Sequence, residues 1–147
     1  MNISQNGLEF IKKYEGFQSK PYICPAGKLT IGYGHVISPH EQFNTTITEK
    51  DADRIFLNDL KITDTTIVKA VNAPLTQGQY DALVSLVYNW GGSSFRASTG
   101  LKKLNALDYS RAAFEFFDPK QGVVRVRGKI MRGLVNRRQA ELRLWNA

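Results

Sequence analysis

Apolar side chains recur at helical spacing along most of the chain, and polar or glycine-containing stretches separate these segments. The spacing predicts six helices, over residues 4–15, 48–60, 76–90, 98–107, 110–117 and 134–145. In the first helix, Leu8, Ile11 and Tyr14 fall on the side that we expect to be buried. The pattern does not decide whether the second helix continues to Val71, because residues 63–66 are poor helix formers.

Residues 17–36 follow a different pattern, with β-branched and aromatic residues on both sides of a Pro-Ala-Gly turn. This pattern predicts a small antiparallel sheet. If the hairpin centres near Gly27, Cys24 lies opposite Thr30 and the two side chains share one face. Strand alternation then places Gly32 and Gly34 on the face of Thr30. Two glycines in line with a threonine leave a strip of bare backbone against which a flat polymer could lie.

The order of the predicted elements is typical of an α+β protein, with a small sheet near the N-terminus and helices in the rest of the chain. Residues 119–133 show no regular pattern, and the run over 123–127 is too short to predict a strand. A chain of 147 residues suits one domain, and such a domain buries roughly two-thirds of its unfolded surface.

Composition excludes several classes of protein. Apolar content of 42% and charged content of 22% are ordinary for a soluble globular protein. No stretch approaches the ~20 apolar residues of a membrane span, and residues 1–6 lack the basic and apolar regions of a signal peptide. One cysteine permits no internal disulfide, and two histidines with one cysteine argue against a structural zinc site. We therefore expect synthesis inside a cell, without membrane insertion or export by the general route.

Charge is concentrated at the C-terminal end of the chain. Residues 1–119 carry 12 Lys/Arg and 12 Asp/Glu, whereas residues 120–147 carry 8 Lys/Arg and a single acid, so the whole net charge of +7 lies there. Such a block indicates an anionic partner, which could be nucleic acid, an acidic membrane surface or an anionic cell-wall polymer. A solvated helix face with arginines stacked on their neighbours explains the block equally well.

Glu15 is a candidate general acid because it lies at the predicted C-terminal end of the first helix. The partial negative charge of a helix C-terminus favours the protonated carboxyl group, although burial by Tyr14 or Phe17 would have to add to this effect. A glutamate exposed near a helix end is the plain alternative. His35 is expected to pack or hydrogen-bond within the sheet, and metal ligation by His35 and His40 lacks an acidic cluster of suitable spacing.

Three segments resemble the phage-type lysozymes (endolysins) of glycoside hydrolase family 24. The first is the E-x8-C-x5-T spacing of Glu15, Cys24 and Thr30, followed by Ile-Gly-Tyr-Gly-His. The second is the Tyr-Asn-Trp-Gly-Gly-Ser-Ser-Phe segment over 88–95 with Ser-Thr at 98–99. The third is Gly-Leu-Val-Asn-Arg-Arg-Gln-Ala-Glu over 133–141. The resemblance runs from about residue 3 to residue 145.

The resemblance implies a lysozyme-like fold in one catalytic domain over residues 1–147. A small β-containing lobe would cover about 16–60, a mostly helical larger lobe 1–15 and about 61–147, and the substrate cleft would lie between them. It implies that Glu15 protonates the leaving oxygen and that Cys24 and Thr30 place the attacking water, with inversion at the anomeric carbon. The remaining implied residues bind substrate or orient Glu15. The substrate-binding residues are Gly32, Gly34, Tyr88, Asn89 and Ser98, and the orienting residues are Arg137 and Arg138.

Cys24 departs from the form of the motif in which an aspartate stands at this position. An unperturbed thiol is mostly neutral at pH 7, so it would need a lowered pKa from Lys28 or the C-terminal arginines to act as thiolate. Its alternative role is a small side chain that shapes the hairpin. Tyr88 similarly has two interpretations, one in the substrate site and one in the core beside Val84 and Val87.

The implied activity is hydrolysis of the β-1,4 bond between N-acetylmuramic acid and N-acetylglucosamine in peptidoglycan, without a metal or organic cofactor. We expect a monomer that binds glycan strands and not nucleic acid, accumulates in the host cytoplasm, and reaches the wall after release by a holin. Two alternatives remain open from the sequence. One is a lytic transglycosylase on the same fold, and the other is a non-catalytic cell-wall or nucleic-acid-binding basic protein.

Overall fold

The computed structural model describes residues 1–43 and 45–147. The described residues form seven helices: α1 (Gln5–Glu15), α2 (Glu49–Ala70), α3 (Gln77–Trp90), α4 (Gly92–Arg96), α5 (Thr99–Asn105), α6 (Tyr109–Phe117) and α7 (Arg132–Trp145). They also form five strands: β1 (Gln18–Ile23), β2 (Leu29–Gly32), β3 (His35–Val36), β4 (Arg125–Val126) and β5 (Lys129–Ile130). The predicted α+β class, mostly helical with small antiparallel sheets, is confirmed.

The chain divides into two compact units, one of residues 9–62 and one of residues 1–8 with 63–147. The smaller unit contains the three-stranded sheet, and its core is formed by Ile11, Ile31, Tyr33, Ala52, Phe56 and Leu60. The larger unit is helical apart from the β4–β5 hairpin, and its largest fully buried apolar side chains are Ile67, Leu83, Leu86, Phe95, Leu104, Phe116 and Phe117. Each unit therefore has an apolar core of its own.

Helix α1 begins and ends close to its predicted limits. The N–H of Gly16 donates to the carbonyl of Lys12 and Gly16 has φ +68°, a helix stop that favours glycine. Ile11 is fully buried as expected, but Tyr14 is 37% exposed, so its predicted burial is wrong. Its ring instead packs on that of Phe10, with centroids 4.9 Å apart.

Helix α2 runs without a break through the stretch that the sequence pattern left open. Leu60, Thr63 and Ile67 are buried along it, at the spacing of one helix face. Burial of this face outweighs the low intrinsic propensity of the threonines and of Asp64, because helices in proteins are stabilised mainly by packing. The predicted start is confirmed by reciprocal hydrogen bonds between Thr48 and Asp51.

The hairpin of β1 and β2 centres one residue earlier than predicted. Tyr22 pairs with Thr30, and the N–H of Cys24 donates to the carbonyl of Lys28. The prediction that Cys24 lies opposite Thr30 is therefore wrong. Cys24 is the diagonal neighbour of Thr30 on the same face, because Tyr22 and Cys24 are two residues apart on one strand.

The predicted alternation from Thr30 to Gly34 is also wrong. Tyr33 and Gly34 form the turn between β2 and β3, and φ is +66° at Gly32 and +78° at Gly34. A Cβ atom on Gly32 would lie 3.4 Å from Cβ of Ala52, so this glycine packs against α2. The strip of bare backbone expected along Thr30, Gly32 and Gly34 is not formed.

The larger unit contains two features that the sequence pattern did not predict. The first is α4, a single helical turn directly after the end of α3. The second is the β4–β5 hairpin, in which Arg127 and Gly128 form the turn with φ of +51° and +80°. Two consecutive residues with positive φ are the signature of a tight two-residue hairpin turn.

The predicted start of α3 is confirmed as a capping box between Thr76 and Gln79.

Candidate active site

Glu15 is the last residue of α1 and is partly buried. Its carboxyl group lies against the backbone of Gly34, where a Cβ atom would be only 2.5 Å from Oε1 and 3.0 Å from Cδ of Glu15. Only glycine leaves room for the carboxyl group at this position, and Gly34 also has φ +78°. The β2–β3 turn therefore defines one side of the Glu15 environment.

Contacts of Lys12 and Tyr33 hold the end of α1 and the β2–β3 turn in place. Nζ of Lys12, one turn before Glu15, lies 2.5 Å from Oδ1 of Asp53 and 5.1 Å from the centre of the Tyr33 ring. The hydroxyl of Tyr33 donates to Oε1 of Glu49 at 2.8 Å. Burial, together with the Glu49 hydrogen bond, raises the pKa of Tyr33 to about 12, so it stays a donor. These bonds link the end of α1 and the turn that contains Gly34 to α2.

Cys24 and Thr30 are diagonal neighbours on one face of the sheet. Thr30 is 2% exposed, and its hydroxyl donates to the carbonyl of Lys28 at 2.9 Å. Burial alone would raise the pKa of the Cys24 thiol. That pKa is nevertheless lowered, because the effect of burial is outweighed by hydrogen bonds from the backbone of Lys28 and Ala26 and from the Thr30 hydroxyl, together with the charge of Lys28. The lowered pKa favours the thiolate, the form in which a cysteine accepts a proton.

Tyr22 lies on the same face as Cys24 and Thr30 and is partly buried. Burial raises the pKa of its phenol, and the charges of Glu15 and Cys24 raise it further. The charges of both expected catalytic residues therefore act on Tyr22, a residue that the motif spacing did not single out. The strand alternation Tyr22-Ile23-Cys24 is the sequence signal that identifies it.

His35 has a hydrogen-bonding role within the sheet unit, as expected. Nδ1 lies 2.7 Å from Oδ2 of Asp59, and Nε2 lies 2.9 Å from Oε2 of Glu41. The hydrogen bond to Asp59 is the main cause of a raised His35 pKa, and burial opposes it. Across the described residues, no group of three or more His, Cys, Asp or Glu side chains is arranged to hold a metal ion.

The helical unit contains a cavity of about 450 Å³ with Ser98 in its wall. Trp90, Gly122, Val123 and Arg125 are among the other lining residues. The Ser98 hydroxyl is already engaged, because it caps α5 by accepting from the N–H of Leu101 and donates to the carbonyl of Phe95. Ser98 therefore also has a structural role in shaping the cavity wall.

Tyr88 and Asn89 lie in the last turn of α3, Tyr88 partly buried and Asn89 exposed. Neither is among the residues that line the cavity, whereas the adjacent Trp90 is. The roles of Tyr88, Asn89 and Ser98 in binding substrate stay predictions.

Arg137 and Arg138 are buried in α7 as part of a charged network. Nε of Arg138 donates to Oε1 of Glu141, and Nη2 lies 3.0 Å from Oε2. Oε2 of Glu141 also accepts from the hydroxyl of Ser85 at 2.5 Å, and Arg137 lies 3.6 Å from the same oxygen. Nη1 of Arg138 contacts the carbonyl of Val123 at 3.3 Å, so the network also supports the cavity wall.

Comparisons with known proteins identify the family of the chain. The pattern of the family described as phage lysozyme matches residues 12–141. An endolysin of Acyrthosiphon pisum secondary endosymbiont phage 1 is 41% identical over 147 residues, covering 100% of this chain and 99% of that protein.

The chain belongs to the phage lysozyme family.

Solved structures of lysozymes show the same fold. The muramidase domain of SpmX from Asticaccaulis excentricus superposes with a TM-score of 0.84 at 32% identity, covering 99% of this chain and 98% of that one. A P22 lysozyme mutant superposes with a TM-score of 0.79 at 35% identity, covering 100% and 99%. As a member of this family the protein is a glycoside hydrolase, a lysozyme that acts on peptidoglycan.

The sequence motifs gave no role to two residues of the charged network around Arg137 and Arg138. Glu141 and Ser85 received no role, although the spacing of Arg137, Arg138 and Glu141 is that of ion pairs on one helix face. The expected role of Arg137 and Arg138 in orienting Glu15 stays a prediction.

Proposed function

We propose that this lysozyme hydrolyses the β-1,4 bond between N-acetylmuramic acid and N-acetylglucosamine with Glu15 as general acid. The observation that supports the proposal most directly is the packing of the Glu15 carboxyl group against the bare backbone of Gly34. This contact holds the acid at the end of a rigid helix, and positioned acids contribute roughly 10²–10⁴-fold to such reactions.

The attacking water would be placed by the sheet face that carries Cys24 and Thr30. Water oxygen forms a bond to the anomeric carbon, the glycosidic bond breaks, and the leaving oxygen takes the proton of Glu15. The proton lost by water passes to the Cys24 thiolate, and the lowered pKa of this thiol supports that role. Attack from the side opposite the acid gives inversion, which requires ~6.5–9.5 Å between the two catalytic groups.

The substrate would be a glycan strand of the bacterial wall. Tyr88, Asn89 and Ser98 are proposed to bind its sugars and N-acetyl groups. Gly34 would shape the site beside Glu15, and Gly32 would shape the strand end that leads to it. The sequence places all of the net charge of +7 in residues 120–147, which suits a wall rich in anionic groups.

Among the described residues, no helix is both long enough and apolar enough to cross a membrane. We propose that the protein is a monomer, accumulates in the host cytoplasm, and reaches the wall after a separate holin opens the membrane.

The deciding experiment is mass spectrometry of soluble fragments released from purified Gram-negative peptidoglycan by wild type and by Glu15→Gln. Reducing N-acetylmuramic acid ends that are lost in a folded Glu15→Gln variant are the expected result. Ends of the 1,6-anhydro type that depend on Glu15 would instead show a lytic transglycosylase, in which the muramic 6-hydroxyl replaces water. Full activity of the variant would refute Glu15 as the acid.

Cys24 is tested separately by substitution and alkylation. If the thiolate takes the proton from water, Cys24→Ser loses turnover while its thermal midpoint is kept. An active Cys24→Ser variant, together with inactivation of the wild type by alkylation, would show that the thiol only shapes the hairpin.

A further inference from the structure

The cavity in the helical unit combines an aromatic wall with uncharged hydrogen-bonding side chains. Its volume of about 450 Å³ lies within the roughly 300–1,000 Å³ that is usual for ligand sites. Trp90 provides the aromatic surface, and Ser94, Thr99 and Gln121 provide hydroxyl and amide groups. Such a lining is suited to a polar chain, which can be either a sugar or a peptide.

The charged residues of the lining separate these two kinds of ligand. Within the part of the chain that the structure describes, Arg125 is the single cation of the lining and Glu115 is its single anion. Nη2 of Arg111 lies 3.4 Å from Oε1 of Glu115, so this anion already has a partner. None of the ion pairs formed among the described residues includes Arg125. A neutral sugar has no use for an unpaired guanidinium, whereas a carboxylate pairs with it.

The strand that carries Arg125 is held in place by backbone hydrogen bonds. Arg125 lies in β4 and pairs with β5. The preceding Val124 is fully buried, and its carbonyl accepts from the N–H of Met131 at 2.8 Å. The N–H of Val123 donates to the carbonyl of Phe116 in α6 at 2.9 Å. Arg125 is therefore presented by a fixed element, which lowers the entropy lost when it binds a ligand.

Peptidoglycan supplies a carboxylate of this kind on its peptides. Each peptide is joined to N-acetylmuramic acid through an amide, so the lactyl group of a substituted sugar is uncharged and the free carboxylates lie on the peptide. Ser98, which is proposed to bind the sugar, also lines the cavity. A sugar held at Ser98 would carry its peptide along the same wall.

We infer that the cavity binds the peptide of peptidoglycan and that Arg125 determines specificity there, by pairing with an ionised carboxylate of the peptide. The inference rests on the proposed hydrolysis. A substrate whose carboxylates are converted to carboxamides keeps its shape and loses the charge, so it binds less tightly. The selection acts on binding, because Arg125 contacts the peptide and not the bond that breaks.

The test compares wild type with Arg125→Gln on two matched substrates. Soluble peptide-bearing peptidoglycan oligomers are used as isolated and after carbodiimide-promoted amidation in excess ammonium. Because Arg125 is exposed, we expect Arg125→Gln to raise KM for the native oligomers about fivefold, with kcat within about twofold of wild type. On the amidated oligomers the KM values of the two proteins should agree within about twofold.

Arg96→Gln is the matched control, because Arg96 is an exposed arginine of the same unit that does not line the cavity. It removes the same charge and is expected to keep the wild-type KM on both substrates. Arg125→Lys keeps the charge and should recover part of the loss on the native oligomers. Each variant is assayed well below its own thermal midpoint, so that a difference in stability does not enter the rate.

Three results would overturn the inference. The first is an unchanged KM of Arg125→Gln on the native oligomers. The second is an equal rise in KM on native and amidated oligomers, because the lost contact is then not made to a carboxylate. The third is a similar rise for Arg96→Gln, which would assign the effect to net charge.

Glu15→Gln is measured in parallel on the native oligomers. An active Glu15→Gln variant refutes the proposed acid, whereas the KM comparison still reports on Arg125. Failure of the proposed function and failure of this inference are therefore distinguishable.

Discussion

The pair of His35 and Asp59 should make the stability of the sheet unit depend on pH. The perturbation is Asp59→Asn, which keeps the size of the side chain and removes its charge. Nδ1 of His35 lies 2.7 Å from Oδ2 of Asp59, and the two side chains are 14% and 22% exposed. The hydrogen bond to Asp59 raises the His35 pKa above its usual value, so the imidazolium is favoured in the folded state.

The expected magnitude lies between two limits. Exposed ion pairs are worth roughly 0.2–1 kcal/mol, whereas removal of one partner from a fully buried pair costs roughly 3–5 kcal/mol. With exposures of 14% and 22%, we expect Asp59→Asn to cost about 2 kcal/mol at pH 5.5. For a domain of this size, that is a fall in thermal midpoint of about 4–8 °C.

The sign follows from linkage. A group whose pKa is raised on folding contributes its full stability below its unfolded pKa of about 6.5 and loses it as the pH rises through the higher folded value. The difference between wild type and Asp59→Asn should therefore be largest near pH 5.5 and shrink above pH 7. Glu41 makes the stability of the sheet unit fall at acid pH. Its pKa is lowered chiefly by the backbone N–H of Ser38, so its contribution is lost as the pH falls below the usual carboxylate range.

Thermal unfolding of both proteins from pH 4 to pH 9, followed by circular dichroism, measures these differences. Arg54→Gln is the matched control, because it breaks the Asp51–Arg54 pair, in which the arginine is 73% exposed, and should cause no resolvable change at any pH. An Asp59→Asn difference that is constant with pH, or that grows above pH 7, would refute the assignment of the effect to a charged His35.

Two further predictions concern the active site and the wall-binding charge. Gly34→Ala should lower kcat at least tenfold, because the added Cβ would lie 2.5 Å from Oε1 of Glu15 and would displace that carboxyl group. Gly128→Ala is the control: Gly128 has a similar positive φ, but no atom lies within 4 Å of the added Cβ, so the variant should stay active. Equal activity of the two alanine variants would show that the contact with Glu15 is unimportant. Binding to the wall is tested with two double variants that have the same net charge. One removes charge from the β4–β5 hairpin (Arg127→Ser with Lys129→Ser), and the control removes it from α5 (Lys102→Ser with Lys103→Ser). The hairpin variant should sediment with peptidoglycan about fivefold less at low salt, with little difference at high salt, and equal losses in both would refute a role for the hairpin.

Local patterns were sufficient for most helices because their signals lie within a few residues of each other. The capping box at Thr76, the stop at Gly16 and the apolar spacing along α3 are examples, and each is formed in the structure. One of the errors occurred where a single residue of register decides the outcome. A shift of the hairpin centre by one position moved the partner of Thr30 from Cys24 to Tyr22.

The sequence by itself determined the family, the α+β class and the three motif residues Glu15, Cys24 and Thr30, since all of these depend on residue type and spacing along the chain. Only the tertiary structure brought the Gly34 backbone against Glu15, buried Thr30, and placed Glu141 between Ser85 and Arg138. These contacts join residues up to 56 positions apart. They form because each buried polar or charged group must find its partner within a packed core, a constraint that no local pattern records.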